Sequence, residues 1–350
     1  MKVRGHQVFV DELARFAAGC ADARVSAIAD KAAAPLAVAV RGRRGVGRST
    51  VARALVQAAT ASGITVMPSA GEADLVVQVI AEVVKPEDAD AIATAGCPVL
   101  AVLNKADLIG PLAGRTGTGP LATAQTRCAD LAELVGVRFE PMNALLAVAA
   151  IEGLDGTSWS ALQVLAAHPG GSACLDGSFE GFVAADNPVP TDARRQLLDT
   201  LDLFGTALGI AAVRRRGTPT QVRALLRRMS GIDAVIATLS ALGAEVRYQR
   251  MLGAIAELEA LAVGTAVIGE QVSGFLSRDD TVIARMAAAV EVAEAAGHNV
   301  GGCDDPAGHL PRAVRWQRYG RGSVSELHRA CAGDIARGSL RLWSRTRESW

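Results

Sequence analysis

Two short stretches carry residue types whose spacing suits nucleotide chemistry. The first is Gly42-Arg43-Arg44-Gly45-Val46-Gly47-Arg48-Ser49, with Thr50 directly behind it. Glycines let backbone N–H groups curl around phosphate oxygens, and a helix beginning there adds its positive dipole end. A long cation at Arg48 can reach the β- and γ-phosphates, the Ser49 hydroxyl is placed to ligate magnesium, and Thr50 can contact the α-phosphate. The plainer alternative is a tight structural turn between a strand and a helix.

The second stretch is Asn104-Lys105-Ala106-Asp107. A carboxylate at Asp107 can accept two hydrogen bonds from the N1–H and N2 amino group of guanine, and adenine offers neither donor in that arrangement. Lys105 can lay its aliphatic stem on a purine face, while Asn104 can tie a base loop to the phosphate loop. Alone, four such residues read as a solvated turn. In this order after a phosphate-type loop, they point to a guanine nucleotide, GTP or GDP with magnesium.

Such residues need strands and helices to hold them. Pro35–Val40, Ile64–Met67, Leu75–Ile80 and Pro98–Leu103 are short apolar runs of the kind that form buried parallel strands, with a further short strand at Val137–Phe139. Between them the spacing predicts helices at about 49–62, 87–95 and 122–135, then 144–153 and 158–167. Alternation of this kind indicates an open, mostly parallel α/β sheet. The phosphate-type loop follows the first strand, and Asn104 ends the fourth, where ligands of such sheets bind.

Before the sheet, residues 7–33 read as one helix. Residues 168–190 are rich in Gly and Pro without periodicity and read as a connector. Beyond it no strand pattern occurs, and helices are predicted at about 191–216, 218–229, 232–242, 245–263, 280–297, 306–319, 323–332 and 335–347. The expected organisation is an N-terminal helix (1–33), a nucleotide-binding domain (34–167), the connector (168–190) and an all-α domain (191–350).

The motif order resembles the Era-like and dynamin-like branch of the translation-factor-related P-loop GTPases. Gly42–Ser49 matches the phosphate motif and Asn104–Asp107 the base-specificity motif, over about residues 34–165. Asn143-Ala144-Leu145 resembles the family's second base loop, and the resemblance implies that the Ala144 N–H contacts guanine O6. The helical half has only a general similarity to helical domains that accompany such G domains.

Three departures bear on hydrolysis. Arg48 stands where the family has Lys, which keeps the charge but is bulkier and planar. The family's Asp-x-x-Gly corresponds to Pro68-Ser69-Ala70-Gly71, and Pro68 cannot partner a metal. Only Gly63 separates the helix after the phosphate loop from the strand at Ile64, which leaves no room for a first switch loop. The segments that order around a γ-phosphate are missing or damaged, so slow or absent turnover is expected. Two readings follow: a divergent GTPase acting as a switch through its helical domain, or a pseudo-GTPase interaction protein that regulates an intact GTPase. An ATP-using kinase on the same loop is disfavoured by Asp107.

The remaining composition sets bounds. The 350-residue chain is half hydrophobic, with 36 basic and 36 acidic residues, so a whole-molecule polyanion binder is excluded. Only Lys2, Lys31, Lys85 and Lys105 are lysines, a bias that makes an arginine at position 48 less surprising. Six scattered cysteines without a CxxC pair fit a reducing compartment. Asp11 and Glu12 interrupt any signal-peptide core, and the apolar run Ala144–Ile151 is far short of a membrane span, so the chain reads as cytoplasmic.

Arginines cluster at 214–228 and again at 312–347, the second group interleaved with Trp316, Tyr319, Trp343 and Trp350. They read either as solvated helix faces paired with acids elsewhere or as a surface for an anionic partner. Of such partners, a protein or a peripheral membrane contact is favoured over nucleic acid. His298, Cys303, Asp304, Asp305, His309, His328 and Cys331 are ligand types without a zinc spacing.

Overall fold

The computed structural model describes residues 5–20, 22–67, 73–109, 120–168, 171, 178–264, 266–301 and 305–348. The chain divides into two compact units, one formed by residues 37–239 and the other by 1–36 together with 240–350.

The first of these units carries the sheet. Its strands are β1 (Leu36–Gly42), β2 (Ile64–Met67), β3 (Leu75–Ala81), β4 (Val99–Asn104) and β5 (Arg138–Met142). They form one parallel sheet in the order β2-β1-β3-β4-β5. The register is set by Val40 opposite Val77, Val79 opposite Val102 and Leu103 opposite Pro141. β3 and β4 are almost wholly buried because both faces are covered, which is why they read as continuous apolar runs and not as alternating patterns. From β1 the chain goes to β2 on one side and then crosses to β3 on the other. The reversal lies at the carboxyl ends of β1 and β3, where open α/β sheets place their ligands.

The helices of this unit include α3 (Arg48–Ala59), α4 (Pro86–Ala93), α5 (Pro120–Val135), α6 (Ala144–Glu152), α7 (Gly156–Ala167), α8 (Phe179–Ala184), α9 (Thr191–Arg214) and α10 (Pro219–Ser230). One core lies against the sheet around Val76, Ile80, Leu103, Leu131 and Phe139. Another joins α6 and α7 to the helices that follow, through Leu146, Leu162, Phe182, Leu197, Leu201 and Leu226.

This second core explains why the units divide the chain differently from the sequence reading. The sequence expectation places residues 191–239 with the C-terminal helices, yet α9 and α10 cover apolar faces of α6 and α7. Helical periodicity reports that a face is apolar but not which partner covers it. The connector also contributes: α8 buries Phe182 completely, and Val189 is 2 % exposed. Residues 169, 170 and 172–177 of that segment, with Cys174, lie outside the described residues.

By length and hydropathy α9 could cross a membrane, but its apolar residues Leu197, Leu198, Leu201 and Phe204 are core residues here. It is broken at Asp202, whose φ of 60° and ψ of −177° are non-helical. That region of backbone space is close to glycine-only and costs on the order of 1–3 kcal/mol in another residue.

The other unit is all helical. The stretch read as one helix over 7–33 is two, α1 (Gly5–Cys20) and α2 (Ala23–Ala33), with Asp22 capping the second through the Arg24 N–H at 2.8 Å. Conversely, α11 (Ile232–Gly264) and α15 (Glu326–Glu348) each run unbroken where two helices were expected. An internal glycine such as Gly243 costs a helix about 1 kcal/mol but does not end it. α12 (Ala266–Ser277) has no counterpart in the sequence reading, while α13 (Asp279–Ala295) and α14 (His309–Gly320) do.

The core of this unit is built around Phe9, Leu13, Tyr248, Phe275 and Ile335, with Phe16 stacked on Phe275 at 4.5 Å between centroids. A buried acid of this unit, Asp334, is satisfied by the Tyr248 hydroxyl at 2.9 Å and by Arg285 and Arg337 at 2.8 and 3.0 Å. A buried charge is tolerated when it is paired and hydrogen-bonded in this way.

His6 on α1 is 7 % exposed, and burial, reinforced by the charges of Arg247 and Arg250, lowers its pKa to about 4. The folded chain therefore holds a neutral imidazole that the unfolded chain protonates below pH ~6.5. Stability is unaffected above that value and falls as pH drops toward the folded pKa, by roughly 3 kcal/mol in full. An NMR titration should place the His6 midpoint at about 4. A midpoint in the ordinary histidine range would show the ring to be solvated.

Candidate guanine-nucleotide site

The loop between β1 and α3 has the backbone a phosphate cradle requires. Gly45 and Gly47 both lie in the left-handed region, with φ of 88° and 85°. Gly47 is the residue immediately before α3, so the helix N-terminus opens directly from it. Nothing lies within 4 Å of a Cβ built on Gly45, so the space beside the loop is open there. A Cβ on Gly47 would sit 2.3 Å from Asn104 Nδ2, so only glycine permits that approach. Val46 between them is buried.

Arg48 and Ser49 begin α3 and are exposed, with Thr50 part-exposed behind them. Among the described residues Arg48 makes no hydrogen bond or ion pair, which leaves its guanidinium available to an anion. Arg43 is occupied instead: its Nε donates to Asp88 at 2.9 Å, and that carboxylate is fully buried. Asp88 also accepts from Gln78 at 3.3 Å and from the Lys85 N–H at 3.1 Å. The network pins the flank of the loop to β3 and α4. Local pattern does not encode it: Gln78 is a lone polar residue in an apolar strand, and Arg43 and Asp88 are 45 residues apart in sequence.

Asn104 ends β4 and is 4 % exposed. Its Nδ2 donates to the Val46 carbonyl at 2.9 Å, and its Oδ1 accepts the Ala144 N–H at 3.0 Å. One side chain thereby binds the phosphate-type loop on one side and the N-terminus of α6 on the other. Lys105 follows with φ of 59°, a positive value uncommon outside glycine, and its side chain is exposed. That turn brings Asp107 into the buried end of a short 3₁₀ segment, Ala106–Ile109.

Asn143 donates through Nδ2 to Asp107 Oδ1 at 2.6 Å and accepts the Leu146 N–H at 3.1 Å, capping α6. The Asn143 N–H in turn donates to the Ser230 carbonyl at 2.8 Å. Hence the end of α10 holds the base loop, a contact between distant segments that local pattern does not encode. Burial, above all, raises the Asp107 carboxyl above its ordinary range; the charge of Asp202 adds to this, while Asn143 and Lys105 oppose it.

The two motif stretches and the third loop therefore converge at the carboxyl ends of β1 and β4. One role differs from expectation. The Ala144 N–H, assigned to a purine oxygen, is already donated to Asn104, and a single N–H makes one good bond. Leu145, next in the first turn of α6, is part-exposed. Pro68–Gly71, the stretch aligned with a switch motif, lies outside the described residues. β2 does follow α3 with only a 3₁₀ turn, Thr60–Ser62, and Gly63 between them.

Several of the other candidates have partners within the chain. In the first arginine cluster, Arg214 donates to the Ala166 and His168 carbonyls at 3.1 and 3.2 Å. Arg223 similarly holds Ala150 and Ile151 at 3.1 and 2.9 Å, so both arginines cap helix C-termini. Arg227 pairs with Asp233 at 2.6 Å. In the second cluster, Arg312 reaches Ser339, Arg315 the Asn299 and Val300 carbonyls, and Arg345 pairs with Asp279. No group of three or more His, Cys, Asp or Glu able to hold a metal occurs among the described residues. His298 and His328 instead flank the Tyr319 hydroxyl at 3.1 and 2.7 Å. Cys303, Asp304 and Trp350 lie outside the described residues.

Comparison with known proteins gives no match: no family model, no curated protein and no solved structure is similar to the chain.

Asn104→Ala should orphan the Val46 carbonyl and the Ala144 N–H together, at a cost of about 2 kcal/mol or more. Urea denaturation should show the lower midpoint. An unchanged midpoint would mean that the two loops are held together by other contacts.

Proposed function

We propose that this chain binds a guanine nucleotide, GTP or GDP with magnesium, in a P-loop domain of the GTPase type formed by its sheet unit. The observation that carries the reading is the pair of hydrogen bonds made by Asn104, which ties a glycine-rich phosphate-type loop to the loop beside a buried carboxylate. An ordinary strand-end turn has no reason to organise three loops around one buried amide.

The fit to the nucleotide is chemical. Gly45 and Gly47 offer backbone N–H groups, Arg48 a cation for the β- and γ-phosphates, and Thr50 a hydroxyl for the α-phosphate. Ser49 would hold magnesium, which when bound neutralises phosphate charge. Lys105 would cover the purine face. Asp107 would accept from N1–H and the N2 amino group, with Asn143 fixing its orientation. With the Ala144 N–H engaged, the donor toward O6 falls to Leu145.

Turnover is proposed to be slow or absent. The direct passage from α3 to β2 leaves no loop to close over a γ-phosphate, and Asn104, Asp107 and Arg48 bind without positioning a water. The chain thus acts as a nucleotide holder or regulator, its helices the surface offered to a protein partner. Scattered free thiols at Cys20, Cys97, Cys128 and Cys331 suit a cytoplasmic setting.

Two substitutions test the pocket. In Asp107→Asn the oxygen should stay with Asn143 Nδ2, turning the new amide's N–H₂ toward the base. GTP affinity should fall by about tenfold or more, and xanthosine triphosphate should gain. Equal affinities in wild type and variant would place the base elsewhere. Arg48→Ala should weaken GTP and GDP but not guanosine; an equal loss for all three removes the phosphate role.

A further inference from the structure

The arginines at 312–347 do not all find partners, and those left exposed frame a groove between α14 and α15 of about 390 Å³. The two helices run antiparallel. Arg312 donates to Ser339 at 2.8 Å, and eight residues further along α14 a Cβ on Gly320 would sit 3.0 Å from that of Ala332. So close an approach needs small residues, and Gly333 and Ala336 continue them along α15 as the floor. A Cβ built on Gly333 meets nothing within 4 Å, so the floor is open there.

Three cations rim this floor, Arg321, Arg329 and Arg337, and among the described residues no carboxylate lines it. The Arg321 side chain makes no hydrogen bond or ion pair among the described residues. Arg329 reaches only the Val324 carbonyl, at 3.4 Å. Arg337 shares Asp334 with Arg285, yet 57 % of its side chain is exposed, and a guanidinium carries more donors than one carboxylate uses. Arg329 and Arg337 are separated by about 12 Å along α15. Trp316 also lines the groove, and its buried Nε1–H has no partner. At the far end Leu340 is a large apolar side chain left exposed.

We propose that this groove receives an acidic amphipathic helix of a partner protein. Its small apolar face lies on Gly333, Ala336 and Leu340, and its carboxylates pair with Arg321, Arg329 and Arg337. Charge sets the sign of the partner, and planar guanidiniums suit carboxylates because they bind them with two parallel bonds. The recess sets its shape, since Gly and Ala let a second helix backbone come close. A flat lipid surface does not reach a floor sunk below its arginine rim. A nucleic acid finds few cations for its phosphates and, with Trp316 only 4 % exposed, no ring there on which to stack a base. The proposal rests on the protein-partner reading above but not on nucleotide binding, because every residue in it belongs to the helical unit.

The test is fluorescence anisotropy of the full-length chain with a labelled helical peptide of about 20 residues. The peptide carries glutamates on both flanks of an Ala/Leu face, and a second peptide has glutamine in their place. The Glu peptide should bind about tenfold more tightly than the Gln peptide and weaken as salt is raised. Arg321→Glu and Arg329→Glu, at exposed positions, should each lower its affinity by about tenfold. Gly333→Leu should abolish binding by filling the floor, with a Tm at or above wild type because a helix gains when it loses a glycine. GTP affinity should be unchanged in all three variants. No binding of the Glu peptide, equal binding of the two peptides, or wild-type binding by Gly333→Leu overturns the proposal. So does tighter binding of phosphatidylserine vesicles or single-stranded RNA that is lost in the same variants. A chain that binds the Glu peptide but no GTP overturns the guanine site alone.

Discussion

A single buried amide organises the sheet unit. Asn104 has one donor and one acceptor facing opposite ways, and each meets a backbone group that would otherwise be left unpaired near the end of β4. Burying such groups without partners costs about 1–3 kcal/mol each, so the loops are held where the amide can reach them. Gly47 follows from the same constraint, because any side chain there would occupy the space of the Asn104 amide. Asn143 extends the arrangement to Asp107 and, through its own N–H, to the end of α10. The outcome is a rim at the carboxyl ends of the strands in which loops from three parts of the sequence share one hydrogen-bond network.

That rim fits the proposed nucleotide holder both in what it has and in what it lacks. The parts that would grip phosphate and read a purine are fixed by short bonds to buried groups, including Asp88 beneath Arg43. Parts that would sense a γ-phosphate are compressed, since α3 hands over to β2 with a single 3₁₀ turn. A cradle with no loop between α3 and β2 to close over it suits retention better than turnover. Coupling to the helices is also local: the Ser230 carbonyl at the end of α10 accepts the Asn143 N–H, so a helix of the unit touches the proposed base loop.

Much of the sheet was legible in the sequence because buried parallel strands leave continuous apolar runs. The strands expected at 35–40, 64–67, 75–80, 98–103 and 137–139 lie within a few residues of those observed. The convergence of Gly47, Asn104 and Asn143 was legible too, since all three follow strands on one sheet edge. Partnerships between helices were not. Nothing in the periodicity of α9 says that it covers α6 and α7, and nothing in residues 7–33 says where Asp22 starts a new helix. The break at Asp202 falls on neither a Gly nor a Pro, so the helical periodicity runs through it. The engagement of the Ala144 N–H was likewise invisible, since it depends on where the Asn104 side chain points.

The central claim is tested most directly by calorimetric titration of the full-length chain with GTP, GDP and ATP, with and without magnesium. Saturable binding of GTP and GDP to one site, with ATP weaker by tenfold or more, is the predicted result. ATP binding as tightly as GTP, or no heat with any nucleotide, would contradict it.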